Sequence, residues 1–374
     1  MYFIIFCFYI HHVFSTSGID IHIFNVGQAD SQLIVFPSGY SILIDAGETA
    51  PSSMNCKKIA DWVFEILGSY HINVGVVTHL HDDHIGTAFK NGFWYLLEKS
   101  GIIFDKFIDR DSGIIKNGLA ICDDVEDINW HVIGSYGDTA IKWACYASNT
   151  QLKTQIMKIR EVAKPCSNQI NPPDKDALVQ IIVSDGLGVL EDGKPISQDF
   201  HNSTRKPSEN DYSIALRIKY GDFVYSTAGD LDGYYFRDSN IYHDIETPYK
   251  DVVGVVDVYH VNHHGSEHSN NLDYLQALQP TVAVISCGQN NRYSHPAQTS
   301  MEHITTYSEK VFLTNDCNPE VTNNFIEQVV IVNDKILIHY PKNGEKFYVS
   351  DSTETFKIAF AVKKNKPTPA VCKL

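Results

Sequence analysis

The chain has no CxxC pair, no tandem repeat, no basic excess and, beyond its first residues, no apolar run long enough to span a bilayer. Without a CxxC pair there is no signature of a structural zinc knuckle. The formal net charge is −15 over 374 residues. That balance excludes a broad positive face clamped on long nucleic acid and leaves room only for a local basic path beside a site. Arg205-Lys206 and Lys363-Lys364 are too short to reverse it.

Charge is also missing from the start of the chain, where no charged residue precedes Asp20 and Tyr2 to Ile10 is almost wholly apolar. Ser15 and Ser17 are small residues placed for cleavage before Gly18, so residues 1–17 read as a signal peptide and the mature chain as exported. An uncleaved membrane anchor and a buried first strand are the alternatives. One of the eight cysteines, Cys7, lies in this segment. The other seven are an odd number, so an exported chain keeps at least one thiol unpaired.

What is present is an ordinary globular composition, 43% hydrophobic and 20% charged, able to bury a substantial core. Into it is set one dense cluster, Thr78-His79-Leu80-His81-Asp82-Asp83-His84-Ile85-Gly86. Val74 to Val77 leads in as a buried strand, and a helical pattern runs out from about Ile85 to Leu97. On an extended segment alternate side chains share a face, so His79 and His81 can grip one ion. Where the chain turns into the helix, Asp83 and His84 can reach a second. Three imidazoles and a carboxylate suit zinc first, with manganese or iron as alternatives.

The rest of the chain repeats one theme, strands that end in polar or Gly-rich turns. Ile19–Phe24 runs into Asn25-Val26-Gly27-Gln28-Ala29-Asp30, and Ser41–Ile44 into Asp45-Ala46-Gly47. Phe223–Thr227 runs into Ala228-Gly229-Asp230. Val252–Val261 runs into Asn262-His263-His264-Gly265-Ser266, and Thr281–Ser286 leads toward Asn291-Arg292-Tyr293-Ser294-His295-Pro296. A site assembled along one edge of a sheet produces that distribution. Cys56 to Leu67 carries Ile59, Trp62, Val63 and Ile66 at helical spacing. Between Ile102 and Val183 the pattern suggests strands at Trp130–Ile133, Ile141–Tyr146 and Leu178–Val183, and a helix over Thr154–Val162. Residues 184–212 read as a loop insertion. Residues 311–374 read as C-terminal strands and a tail packed on the same domain, which spans 18–310.

Asp45-Ala46-Gly47, His79-x-His81-x-Asp83-His84, Gly229-Asp230 and His263-His264-Gly265 together resemble the metallo-β-lactamase superfamily. The Asn25–Asp30 turn, Asn210-Asp211-Tyr212-Ser213, His263–Ser266 and Asn291–Pro296 look more narrowly like the hydrolase domain of ComEC-type DNA-uptake competence proteins. The likeness runs from about Ile19 to His303. It implies an α/β fold of α+β type, a four-layer αββα sandwich with two divalent ions at one edge. One ion would take His79 and His81 and the other Asp83 and His84, with Asp230 bridging and His264 as the last ligand. His263 would orient a ligand or donate to substrate, with His295 beside it, and Asp83 or Asp45 would orient the hydroxide or its histidines.

Many members of the superfamily supply one more His to the first ion, where this chain reads Glu209-Asn210-Asp211. Either Asn210 or Asp211 substitutes, or that ion is short of a ligand and washes out first. The resemblance implies hydrolysis of a phosphodiester, with nucleic acid among the substrates. Hydrolysis of carboxylic esters, lactones, lactams or phosphocholine esters is the alternative, and a metal-binding protein without catalysis a further one.

Overall fold

A computed structural model describes residues 17–49, 54–115, 128–129, 137–153, 155–188, 207–233, 243–364 and 366. The apolar segment up to Thr16, the strand expected at Trp130–Ile133 and most of the 184–212 insertion lie outside the described residues.

The first half of the chain builds one sheet. Strands β1 (Gly18–Ile23), β2 (Gln32–Val35) and β3 (Ser41–Ile44) form an antiparallel meander, and helix α1 (Met54–Leu67) crosses back to β4 (His71–Val77), which pairs with β3 in parallel. The short helices α2 (Asp82–Ile85) and α3 (Phe93–Glu98) lead to β5 (Ile103–Asp109). A small ribbon, β6 (Ile114–Ile115) with β7 (Ile128–Asn129), and helix α4 (Asp138–Lys153) precede the parallel edge strand β8 (Met157–Val162).

The second sheet opens antiparallel with β9 (Ala177–Ser184), β10 (Leu187–Gly188), β11 (Ala215–Tyr220) and β12 (Phe223–Thr227). It continues in parallel: helix α5 (Glu246–Val253), β13 (Val258–His260), helix α6 (Leu272–Leu278), β14 (Val282–Ile285), helix α7 (Gln298–Tyr307), β15 (Lys310–Leu313), helix α8 (Pro319–Thr322) and β16 (Val329–Ile331). The chain then returns to the first sheet, where β17 (Ile336–Pro341) pairs with β1 and is followed by β18 (Lys346–Asp351) and β19 (Lys357–Ala361). The orders are β19-β18-β17-β1-β2-β3-β4-β5-β8 and β10-β9-β11-β12-β13-β14-β15-β16.

Period-two burial makes the layers. In β2, Ile34 faces inward into a core shared by the two sheets, against residues such as Leu216, Tyr225 and Val284. Its neighbours Leu33 and Val35 face outward against Ile59 and Val63 of α1, Trp94 and Trp143. On the second sheet Val224, Tyr259 and Ala283 pack outward against Val252, Leu275 and Ile304. The result is the four-layer αββα sandwich. The carboxyl ends of the parallel strands β4, β13 and β14, with those of β3 and β12, open on one edge, where ligands bind in such sheets.

Four local expectations are corrected. Ile141–Tyr146 is inside α4, where Ala140, Trp143, Ala144 and Ala147 are buried at helical spacing. The helix expected over Thr154–Val162 is the strand β8, whose pairing with β5 overrides the helical look of its polar residues. The helix expected from Ile85 to Leu97 is two, α2 and α3, because Gly86 and Gly92 pack backbone to backbone at positive φ. The strand expected from Val252 begins only at Val258: Val252 and Val253 close α5, and Gly254 at φ 61 ends it.

Candidate metal centre

At the end of β4 the chain leaves the sheet through Thr78 and His79, both fully buried. The histidine turn is clamped by backbone bonds from the two neighbouring loops: Asp30 N and Ala46 N donate to the carbonyls of Asp83 and His84, and Glu48 N to that of Asp82. Glu209 accepts from Leu80 N at 2.8 Å and is itself held by Arg110, whose Nε lies 2.8 Å from Oε1. From the opposite sheet, Gly229 sits at φ 52, where a β-carbon would stand 2.6 Å from Thr78 Oγ1. This close approach brings the next residue, Asp230, over the histidines.

One atom each from His79, Asp83, His84 and Asp230 lies within 4.8 Å of all the others, a set that could hold a metal ion. The carboxylate of Asp230 divides its neighbours. Oδ1 is 3.0 Å from His84 Nε2 and 3.7 Å from His264 Nε2, which is in turn 3.6 Å from Asp83 Oδ2. Oδ2 is 3.7 Å from His79 Nε2 and 3.7 Å from His263 Nε2, and His79 Nε2 is 3.0 Å from His81 Nδ1. Donors about 2.0–2.2 Å from a tetrahedral ion stand roughly 3.3–3.6 Å from one another, and these separations of 3.0–3.7 Å bracket that range.

The tautomers agree. His84 Nδ1 is bonded to Asp45 Oδ2 at 2.8 Å, and His264 Nδ1 donates to the carbonyl of Ser286 at 2.8 Å. Each ring therefore turns its Nε2 toward Asp230, where loss of its proton leaves a lone pair for a metal. His84 Nε2, His264 Nε2 and Asp230 Oδ1 are buried and make no hydrogen bond, although they face one another. Buried polar atoms normally find partners. A divalent cation among them meets that requirement, and the residues present fit one.

The electrostatics carry the same tension. Burial opposes the charge on Asp230, but His84, His263 and His264 outweigh it and hold the carboxyl well below its usual range. Burial likewise opposes protonation of His84 and His264; Asp230 with Asp45 lifts the first well above its ordinary value, and Asp230 with Asp83 lifts the second to about 9. Burial raises Asp45 to about 6 against the pull of His84. Burial and then the charge of His84 press His79 well below its ordinary value.

Of the residues singled out in the sequence, His79, His81, Asp83, His84, Asp230 and His264 converge here, with His263 among them. Asp45 stands behind His84, accepting also from Thr78 N and Thr78 Oγ1 at 2.7 Å each. His295 does not reach the donor atoms. Its ring centroid is 5.5 Å from that of His263, and it lines a cavity of about 1290 Å³ that opens onto the site past Gln28, Arg292 and Tyr293. Asn291 spends its side chain on the loop itself, bonding the backbone of Gly288, His295 and Cys317. Asp211 faces away, bonded to His243 Nδ1 at 2.7 Å and Ser208 N at 2.8 Å.

Sequence reasoning missed Asp232, 3.3 Å from His263 Nδ1, and Glu246, which accepts from Asn262, Asn270 and Asn271. For Asp232 the signal was there, a second carboxylate two residues after Asp230. A disulfide joins Cys287 to Cys317 beside this edge, Cys145 and Cys166 are also disulfide-bonded, and Cys56 is free and buried.

No family model matches the chain. Over 108 residues it is 33% identical to ComE operon protein 3 of Bacillus subtilis (strain 168), a match that takes in 29% of this chain and 13% of that protein's length. Among solved structures it is similar to CmlA, a diiron β-hydroxylase from Streptomyces venezuelae, at 11% identity, covering 87% of this chain and 55% of that one with a TM-score of 0.41. It is also similar to Zn(2+)-bound PqqB from Methylobacterium extorquens, at 10% identity, covering 84% and 99% with a TM-score of 0.40. A long form of RNase Z from yeast is 10% identical, with 83% and 43% covered and a TM-score of 0.37. The four-layer fold itself, with the histidine motif at the end of β4, bears out the resemblance to the metallo-β-lactamase superfamily, and the ComE operon protein 3 match bears out its ComEC-type side.

Proposed function

We propose that this chain is a hydrolase that binds two divalent ions, zinc first, and cleaves a phosphodiester. The observation that carries the reading is Asp230, whose two oxygens face two separate sets of donor atoms. Divalent ions bound there would supply an activated water and polarise an oxygen of the electrophile. His79 and His81 would hold one ion and Asp83, His84 and His264 the other, with Asp230 facing both sets of donors. Asp45 fixes the ring of His84. His295, neutral and set into the cavity wall, donates an N–H toward an oxygen of the substrate, and Arg292 at the rim offers a cation to a phosphate.

The cavity is larger than most small-molecule pockets, which supports an extended polar substrate such as a short nucleic acid. The acidic balance of the chain supports short substrates over long ones. Disulfides at Cys145, Cys166 and Cys287–Cys317 support an oxidising, exported location. Among the described residues no helix is long and apolar enough to cross a membrane.

The test is hydrolysis of a chromogenic phosphate diester by protein reconstituted with zinc or manganese, beside Asp230→Ala. Activity lost in the variant is the expected result. A fully metallated protein that leaves the diester intact, yet hydrolyses a carboxylic ester or lactone, would overturn the phosphodiester assignment. A protein that takes up no metal at all would overturn the hydrolase.

A further inference from the structure

On the Oδ1 side of Asp230, three protein atoms besides that oxygen converge, from Asp83, His84 and His264. On the Oδ2 side the histidine turn supplies only His79 and His81. The resemblance leaves the next donor open between Asn210, Asp211 and nothing, and the structure brings forward a fourth candidate. Asp211 is turned away to His243 and Ser208. Asn210 brings its Nδ2 to 3.5 Å from His263 Nδ1 and 3.4 Å from His263 Nε2, and an atom nearly equidistant from both ring nitrogens lies along neither lone pair. Asn210, its Oδ1 buried without a hydrogen-bond partner, thus packs on an imidazole that itself faces Asp230 Oδ2.

That imidazole has the geometry of a ligand. His263 Nε2 is 3.7 Å from Asp230 Oδ2, the same separation as His79 Nε2 from the same oxygen. Behind it, Asp232 is fully buried with Oδ1 3.3 Å from His263 Nδ1, the carboxylate–histidine arrangement that turns the opposite nitrogen toward a metal. The backbone is committed to this placement. His263 (φ 52, ψ 43) and His264 (φ 52, ψ 21) are consecutive non-glycine residues in the left-handed region, an unfavourable pairing held by His263 N bonding to Gly229 O and Ser266 N to His263 O. The outcome is that neighbouring side chains reach opposite oxygens of one carboxylate.

We propose that His263 is the third histidine of the position held by His79 and His81, so that one His-His pair after β13 feeds both ions, His263 one and His264 the other. The inference rests on the two-metal reading. It gives each position three side chains plus Asp230, and the expectation of a donor-poor ion that washes out first no longer follows.

The test is stepwise removal of zinc by a graded chelator, with the ions retained counted by elemental analysis, for wild type, His263→Ala, Asp232→Asn and Asn210→Ala. Cobalt-substituted samples are followed by their visible spectra. Wild type is expected to hold two ions of similar affinity. His263→Ala should keep one and hold the other at least about 100-fold more weakly, with a change in the cobalt bands, and Asp232→Asn should weaken the same ion about 10–100-fold. Asn210→Ala should keep both. Two ions held by His263→Ala as tightly as by wild type would overturn the proposal, as would loss of one ion from Asn210→Ala instead. Wild type without stoichiometric metal would overturn the two-metal reading, a different result from either. Thermal unfolding of each ion-free variant separates lost coordination from lost fold.

Discussion

His84 Nδ1 lies 2.8 Å from Oδ2 of Asp45, and both side chains are fully buried. The same carboxylate accepts from Thr78 N and Thr78 Oγ1, so each of its hydrogen-bond partners is a donor. Asp45→Asn puts an amide NH2 among them whichever way the amide is turned, while Asn still tolerates the φ of 58 at this position. Stability should fall by about 1–3 kcal/mol in urea unfolding. Affinity for the ion that His84 holds should fall about 10–100-fold by chelator competition. Unchanged affinity would reduce Asp45 to a turn-former.

Proton release follows from the same pairings. In the ion-free protein the carboxylates around His84 and His264 lift both above neutrality, His264 to about 9. Against its burial, Asp230 and Asp232 raise His263 as well. Each ring must lose a proton to take a metal, so zinc binding at pH 7 should expel at least about two protons, and apparent affinity should rise with pH until about 9. Without metal the sign reverses. A raised folded-state value contributes stability below the unfolded value near 6.5 and loses it as pH rises through 9. Calorimetry in buffers of different ionisation heat counts the protons, and none released at pH 7 would contradict the pairing.

Gly47 accounts for how closely the loop after β3 approaches the histidine turn. A β-carbon there would stand 1.7 Å from the carbonyl oxygen of Asp83 and 2.9 Å from the Cβ of Ala29. Gly47→Ala should cost about 1–3 kcal/mol and, by moving Asp83 and His84, weaken metal binding as well. Gly137→Ala, where nothing lies within 4 Å, should stay within about 0.5 kcal/mol. Equal behaviour of the two in thermal unfolding would show that the loop gives way.

The layers and the edge that carries the site were legible because strand alternation and strand-end chemistry are local. Leu33-Ile34-Val35 states by itself that both faces of its sheet are covered, and His79 to His84 states its own spacing. What was not legible depends on contacts between distant segments. Nothing near Met157 announces that β5 will claim it as a strand. The role of His263 turns on the left-handed pair at 263 and 264, on Asp232 behind the ring and on Asp211 bonding to His243, none of which leaves a mark on spacing. Glu246, far from the motif in sequence, was invisible for the same reason.

Glu246 holds the turn that delivers His263 and His264. It is fully buried, its carboxylate accepting from Asn262 Nδ2 at 2.8 Å, Asn270 N at 2.7 Å and Asn271 N at 2.8 Å. Burial nonetheless raises it to about 8 against those donors. Between about pH 4.5 and 8 the folded chain therefore keeps a proton that the unfolded chain has lost, and this contribution to stability falls as pH rises through that window. Glu246→Gln cannot titrate and sets an NH2 against N–H donors, costing about 1–3 kcal/mol at pH 5. The gap to wild type should narrow by pH 8 in paired urea titrations; a gap that widens would reverse the assignment of charge.

His295 is the residue on which donor and acid roles part. Burial first, then the charges of His263 and His264, press it down to about 3, so its ring is neutral throughout the range in which a hydrolase of this kind would work. A neutral imidazole can donate one N–H to a developing oxyanion, but it carries no imidazolium proton to hand to a leaving group. His295→Ala should therefore lower kcat about 10²–10³-fold, the usual loss for one oxyanion donor, without altering the acid limb of the pH profile. His295→Gln, which keeps an N–H near the same place, should recover part of the rate. If instead the wild-type profile shows an acid limb near pH 6–7 that is missing from His295→Gln, His295 titrates in turnover and acts as the general acid, and the neutral-donor role is wrong.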